Sequence, residues 1–247
     1  MNMKKFFLKL KELIKSIPLY GWIVGIILFA LQYGMYRLAV VLSELTHTVD
    51  NAFIPKIPFD DSIPLVPIFV IIYIFSYAFW VIGMIAVSKT KKENYINFLF
   101  VILISYLIGF LILWIFPTKM DRVAEGLIDY SNSDKFLAWL LKMVYDADGE
   151  TMAWNLFPSY HCLISLCCYL GIFRQKEISL GFRIYSFVMV ILISMSTVFT
   201  KQHYFIDILG GLTIPIITYV IIYFINPGKK IIERKRNSKE IQTENEK

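Results

Sequence analysis

The sequence predicts an all-α membrane protein, a polytopic bundle of six transmembrane helices behind an N-terminal amphipathic helix. Three observations predict it. Hydrophobic residues make up 57% of the 247-residue chain and charged residues 18%, against roughly 45–50% and about 25% in an ordinary globular domain. The mean hydropathy is +0.60. The apolar residues are gathered into six runs, each close to the roughly 17–25 residues that a bilayer-crossing helix needs. Phe, Tyr and Trp alone make up 16% of the chain, the load expected of lipid-facing surfaces and interfacial belts. Disorder, collagen and coiled coil are excluded by this composition. A disulfide scaffold is excluded too, because Cys162, Cys167 and Cys168 all lie in one apolar run.

The elements follow in order. Met1–Ile17 interleaves Lys4, Lys5, Lys9, Lys11 and Lys15 with Phe6, Phe7, Leu8, Leu10 and Leu13, the pattern of a helix lying on an anionic leaflet. Spans are predicted over Leu19–Leu42, Pro64–Val87, Tyr95–Phe116, Leu156–Phe173, Ile184–Thr200 and Tyr204–Ile225. The first is too long for a signal-peptide core and lacks a small-residue cleavage site, so it reads as a retained span. The connection Ser43–Ile63 carries Asp60 and Asp61 just before Pro64 and Pro67. The longer connection Pro117–Asn155 holds a helical pattern over Ser131–Tyr145, with Ser131 and Asp134 spaced as a capping box. In it Phe136, Leu137, Leu140, Leu141 and Val144 recur at helical spacing, and Trp139 suits the headgroup level. The tail Gly228–Lys247 is polar and is expected to fray. The chain thus divides into an interfacial helix (1–18), one six-span domain (19–226) and a polar tail (227–247).

Orientation follows from the basic residues. Eighteen of them lie before the first span, in the second-to-third and fourth-to-fifth connections and in the tail; Lys56, Lys119, Arg122, Lys135, Lys142 and Lys201 lie on the other side. The positive-inside rule then makes both termini cytoplasmic. The net charge of +6 sits at the ends of apolar segments, so its partner is the membrane surface and not nucleic acid.

Three clusters of unusual residues fall on the outer side. The run Asn155-Leu156-Phe157-Pro158-Ser159-Tyr160-His161 places a proline where a helix would open, with His161 in its first turn. Free backbone N–H groups there, with the Ser159 hydroxyl, form a natural anion site. In Lys201-Gln202-His203-Tyr204-Phe205-Ile206-Asp207, His203 and Asp207 are four apart and share a helix face. The carboxylate can hold one imidazole nitrogen and leave the other free. The third cluster, Phe116-Pro117-Thr118-Lys119-Met120-Asp121-Arg122, supplies cations. An antiparallel bundle can bring all three into one pocket. Cations and a helix N-terminus suit a phosphate, a His held by Asp suits a nucleophile or base, and a second His suits a general acid. Two other readings of the same residues stand beside this one. The two histidines and Asp207 could be the ligands of a metal-dependent hydrolase, or the spans could belong to a transporter or scaffold without chemistry.

These motifs resemble the type 2 phosphatidic acid phosphatase superfamily of membrane lipid phosphatases and phosphotransferases, whose three motifs are K-x6-RP, PSGH and SR-x5-H-x3-D. Pro158-Ser159-Tyr160-His161 matches the second with Tyr160 in place of Gly, and Ser196-Thr197 with His203 and Asp207 keeps the spacing of the third with Thr197 in place of Arg. In the first, Arg122 matches, Val123 replaces Pro and Ile115 stands at the Lys position. The lead-in Phe-Pro-Thr, with Pro-Ser-x-His and Lys-Gln-His-Tyr-x-x-Asp, is similar to the branch that includes inositol phosphorylceramide synthase-like proteins. The resemblance implies a lipid-phosphate substrate and a phosphohistidine on His203, oriented by Asp207, with His161 as acid and then base. It implies Ser159 and Arg122 as phosphate ligands, and no metal or cofactor. Lys119 and Lys201 are expected, on charge alone, to replace the missing Lys and Arg.

Overall fold

The computed structural model describes residues 11, 12, 15–127, 135–149 and 151–245. Most of the expected amphipathic helix at the N-terminus, and the expected Ser131–Asp134 capping box, lie outside these residues. The protein is nearly all helix. Helices α1 (Leu19–Leu45), α2 (Phe69–Val87) and α3 (Lys92–Ile115) are followed by a short strand β1 (Lys119–Asp121), helix α4 (Lys135–Asp148) and strand β2 (Met152–Trp154). Then come α5 (Tyr160–Ile172), α6 (Leu180–Phe199), α7 (Phe205–Ile225) and α8 (Pro227–Asn245). Strands β1 and β2 pair antiparallel, Met120 opposite Ala153.

Among the described residues, five helices are long and apolar enough to cross a membrane: α1, α2, α3, α6 and the one that opens at Phe205. The fourth expected span is different. Its helix, α5, has 13 residues, about 20 Å of rise against roughly 30 Å of hydrocarbon. Residues 155–159 ahead of it are not helical. Pro158 therefore precedes the N-cap, Ser159, instead of occupying the first helical position. The short helix is the core of the molecule: all its residues except Tyr169 and Leu170 are buried, and it packs against α2, α3, α6 and α7.

Close packing around α5 relies on missing Cβ atoms. Tyr160, where the resemblance expects Gly, is buried and donates its hydroxyl to the Tyr106 carbonyl at 3.1 Å. It fits because α3 has a glycine opposite: a Cβ on Gly109 would lie 2.9 Å from Tyr160 Cε2. Gly109→Ala should therefore cost about 1–3 kcal/mol through overpacking. In a Tyr160→Ala background the same change should be neutral or stabilising, since alanine is the better helix former. Thermal unfolding of the four proteins in detergent, read as a double-mutant cycle, checks this.

Helix α4, Lys135–Asp148, carries the helical pattern of the long connection and runs three residues past Tyr145. It buries Leu140, Leu141, Val144 and Tyr145 and leaves Phe136 and Trp139 about 60% exposed, a second apolar edge suited to the interface. The tail, expected to fray, is helical as far as Asn245. Pro227 opens α8, and Lys229–Glu233 and Arg236–Glu240 pair at 3.9 and 3.7 Å across one turn. Its root is fastened to α3: Gly228 N–H donates to Asn97 Oδ1 at 2.7 Å, and Asn226 Nδ2 to Glu93 Oε1 at 2.7 Å.

Candidate active site

The β1 turn, the N-terminus of α5 and the α6–α7 junction meet at one end of the bundle. The junction is a tight turn in which Gln202 and His203 N–H both donate to the Thr197 carbonyl, at 2.9 and 3.1 Å, with Lys201 in the left-handed region at φ +52°. It is docked on the connection between α1 and α2: the Phe205 N–H donates to Asp60 Oδ1 at 2.7 Å, so a carboxylate of that connection caps α7. The α5 segment is docked on α7 in turn. Ser159 N–H donates to the Asp207 carbonyl at 3.0 Å, and a Cβ on Gly211 would meet the Ser159 carbonyl.

His203 Nδ1 lies 3.3 Å from Asp207 Oδ2. That oxygen also accepts the Tyr204 N–H at 2.8 Å, so the carboxylate is fixed by the start of α7 and in turn fixes the ring. Asp207 is fully buried, and its Oδ1 has no hydrogen-bond partner among the described residues. With Nδ1 held, Nε2 is the nitrogen of His203 left for chemistry.

His161 stands across from it, ring centroids 6.3 Å apart at 64°. Its Nδ1 is 3.0 Å from Ser76 Oγ, and Ser76 donates its own proton to the Tyr73 carbonyl at 2.6 Å. The hydroxyl can then only accept from the ring, which places a proton on Nδ1 and leaves proton exchange to Nε2. Aromatic rings enclose the imidazole: Tyr73 stacks at 4.1 Å, Trp80 lies at 4.9 Å and Tyr77 at 5.4 Å. Beside it, Ser159 Oγ is buried without a nitrogen or oxygen partner among the described residues.

Arg122 is wholly buried. Its Nη1 donates to the Tyr145 carbonyl at 3.1 Å and to the Gly149 carbonyl, and its Nη2 donates to Gln202 Oε1 at 3.1 Å. The guanidinium lies 4.3 Å from the Tyr145 ring centroid. It ties the end of α4 to the residue next to His203. Asp148, also at the end of α4, is electrostatically coupled to both groups: burial pushes its carboxyl above the usual carboxylate range, and Arg122 and His203 pull it back.

The structure therefore gathers His161, His203, Asp207 and Ser159, and joins Arg122 to them through Gln202. The two lysines are placed otherwise. Lys201 Nζ donates to the Asp60 carbonyl at 3.2 Å and lines a recess with His203, Tyr204 and Glu125. Burial lowers its ammonium below the usual lysine value. Lys119 lies over the Trp154 ring at 5.9 Å, in a separate groove with Glu44, Asp50 and Asn155. The recess beside His203 measures about 10 Å³, room for about one water molecule. A phosphoryl group enters only if lining side chains move.

Ile115 and Val123, at the first motif's Lys and Pro positions, are 48% and 53% exposed and bring no charge. Thr197, at the Arg position, is buried and donates to the Ser194 carbonyl at 2.8 Å. The residues that sequence reasoning missed are Ser76 with its aromatic neighbours, Gln202, Asp60 and Asp148. One signal was available: Tyr73, Ser76, Tyr77 and Trp80, the side chains of the run that carry a polar atom, are spaced as one face of a helix.

Among the described residues no group of three or more His, Cys, Asp or Glu side chains is arranged to hold a metal ion. The chain belongs to the PAP2 superfamily, whose sequence pattern matches residues 52–221. With its apolar, membrane-length helices, that membership makes it a membrane enzyme of the phosphatase type. No curated protein and no solved structure matches it.

Proposed function

We propose that this chain is an integral membrane lipid-phosphate phosphatase or phosphotransferase working through a phosphohistidine. On this reading α5 counts as the fourth of six crossings, both termini are cytoplasmic and the site is extracytoplasmic, an orientation supported by the eighteen basic residues gathered on the side of the termini. The observation that carries the reading is the facing pair, His203 on a buried carboxylate with His161 6.3 Å away. His203 Nε2 attacks phosphorus and the ester P–O bond breaks. His161, protonated at Nε2, gives its proton to the leaving oxygen. It then takes a proton from water or an acceptor alcohol, whose oxygen attacks phosphorus as the N–P bond breaks and His203 is restored. Ser159 Oγ, the N–H groups of the α5 N-terminus and Arg122 hold the non-bridging oxygens. No metal or cofactor takes part. In its motifs the site is similar to the inositol phosphorylceramide synthase-like branch.

The test is to incubate the purified protein in detergent with a lipid carrying labelled phosphate, in the presence of chelator. An acid-labile, alkali-stable adduct on His203 is expected. Turnover that stops in chelator and returns with one divalent ion would overturn the proposal in favour of a metal site.

Asp148 should oppose an anionic substrate while it is ionised. Because its carboxyl is raised, it takes up a proton on acidification earlier than an exposed Asp does, and the repulsion disappears. Asp148→Asn should therefore lower KM severalfold at neutral pH, each tenfold being about 1.4 kcal/mol, and remove this part of the acid-side fall in KM. Parallel KM–pH series of the two proteins cancel the substrate's own ionisation.

A further inference from the structure

The end of the bundle away from the histidines holds a second pocket, of about 350 Å³. It has the same origin as the candidate site. Helix α5 has 13 residues while α3 has 24 and α7 has 21, so the central helix stops short and leaves a space where its neighbours continue. From His161 to Arg174 the chain rises by about 20 Å, so nothing bound here touches the reacting groups.

The walls are apolar: Phe98 and Val101 from α3, Leu170 from α5 and Ile222 from α7. The rim is polar, but its amides are already engaged. Asn94 Nδ2 donates to the Gly171 carbonyl at 2.8 Å, its Oδ1 accepts from Gln175 at 3.0 Å, and Asn97 Nδ2 donates to Asn226 Oδ1 at 2.9 Å. Glu93, the one carboxylate of the lining, receives Asn226 Nδ2. Two lining groups are left uncommitted, Lys91 and Arg174. Both are exposed, and neither forms an ion pair among the described residues. Arg174 is set at φ +59° with its guanidinium 5.0 Å from the Phe173 ring centroid. Tyr223 lines the pocket and is also 68% exposed, next to Phe224 at 79%, so the pocket opens sideways through the outer surface of α7. An occupant must satisfy two cations and an apolar wall and arrive from the lipid side. Basic pockets between membrane helices on the positive side take anionic headgroups in this way.

We propose that this pocket binds an anionic glycerophospholipid of the inner leaflet as a resident lipid, with its phosphate at Lys91 and Arg174 and its chains against Leu170, Val101 and Tyr223. Bound there, it bridges the ends of α3, α5 and α7.

The experiment is native mass spectrometry of the full chain in mild detergent, with phosphatidylglycerol or phosphatidylcholine added. One phosphatidylglycerol per chain is expected to be retained, with at least tenfold preference over phosphatidylcholine. Lys91→Ala/Arg174→Ala, at exposed positions, should lose that retention tenfold or more and lose the rise in Tm that phosphatidylglycerol gives the unaltered protein. Leu170→Trp, which fills the apolar wall, should do the same, and each variant should keep its turnover. Equal retention of the two lipids, or undiminished phosphatidylglycerol in the double variant, would overturn the proposal. Complete displacement by millimolar inorganic phosphate would overturn it as well, because the rim would then be a site for free phosphate.

Discussion

Replacing His203 by alanine should abolish turnover on any lipid phosphate, and His161→Ala should lower it about 10²–10⁴-fold, the usual range for loss of a general acid–base group. The two losses differ in kind. Without His203 no N–P bond can form, so no phosphoenzyme accumulates under any condition. Without His161 the attack lacks a proton donor for the leaving oxygen, so a substrate with a good leaving group, such as the nitrophenyl ester of a long-chain alkyl phosphate, should recover most of its rate. The pair of substrates therefore separates nucleophile from acid. Combining the substitutions should cost little more than His203→Ala alone, since residues of one catalytic unit are far from additive. Retained turnover in His203→Ala would remove the histidine mechanism. A leaving-group-independent loss in His161→Ala would remove His161 as the acid.

Arg122 carries the second large effect, and it acts on stability and rate together. The buried guanidinium donates to the Tyr145 and Gly149 carbonyls and to Gln202 Oε1. Arg122→Ala leaves these acceptors short of a donor, at about 1–3 kcal/mol for each that stays dry, and frees the end of α4 from the turn that bears His203. A fall in Tm and a loss of turnover should come together. Arg122→Lys keeps the charge but not the planar fork. It should recover part of the Tm while turnover stays about tenfold or more below the unaltered protein. Thermal unfolding in detergent beside steady-state kinetics on the same preparations makes the check. An alanine variant with unchanged Tm would contradict the bridge from α4 to Gln202.

The sequence made the helical spans legible because lipid imposes a crude, length-based rule on them. It also carried the two histidine motifs in their spacing, although the helix opens only at Phe205, so His203 meets Asp207 from the turn ahead of α7 and not along a shared helix face. What it left hidden was set by partners distant in the chain. Ser76 touches His161 across 85 positions and Asp60 caps α7 across 145, separations that no local pattern encodes. The lysines show the same limit from the other side. Charge and sequence proximity nominated Lys119 and Lys201, yet the left-handed turn at Lys201 and the strand at Lys119 direct their ammonium groups to Asp60 and Trp154. The shortness of α5 was hidden as well. The apolar run continues through Leu156 and Phe157, and hydropathy does not register where a backbone leaves the helical conformation.

That missing length sets an elevation. With 24 residues in α3 against 13 in α5, the neighbouring helix outreaches the central one by about 16 Å, or roughly 8 Å at each end if the shortfall is shared. On the proposed function the phosphorus under attack is therefore sunk towards the glycerol level of the outer leaflet, beneath the aqueous plane. An amphiphile already floats with its phosphate near that depth and has only to slide across. A sugar phosphate or a nucleotide would have to shed its hydration and descend, so water-soluble esters are disfavoured by altitude alone.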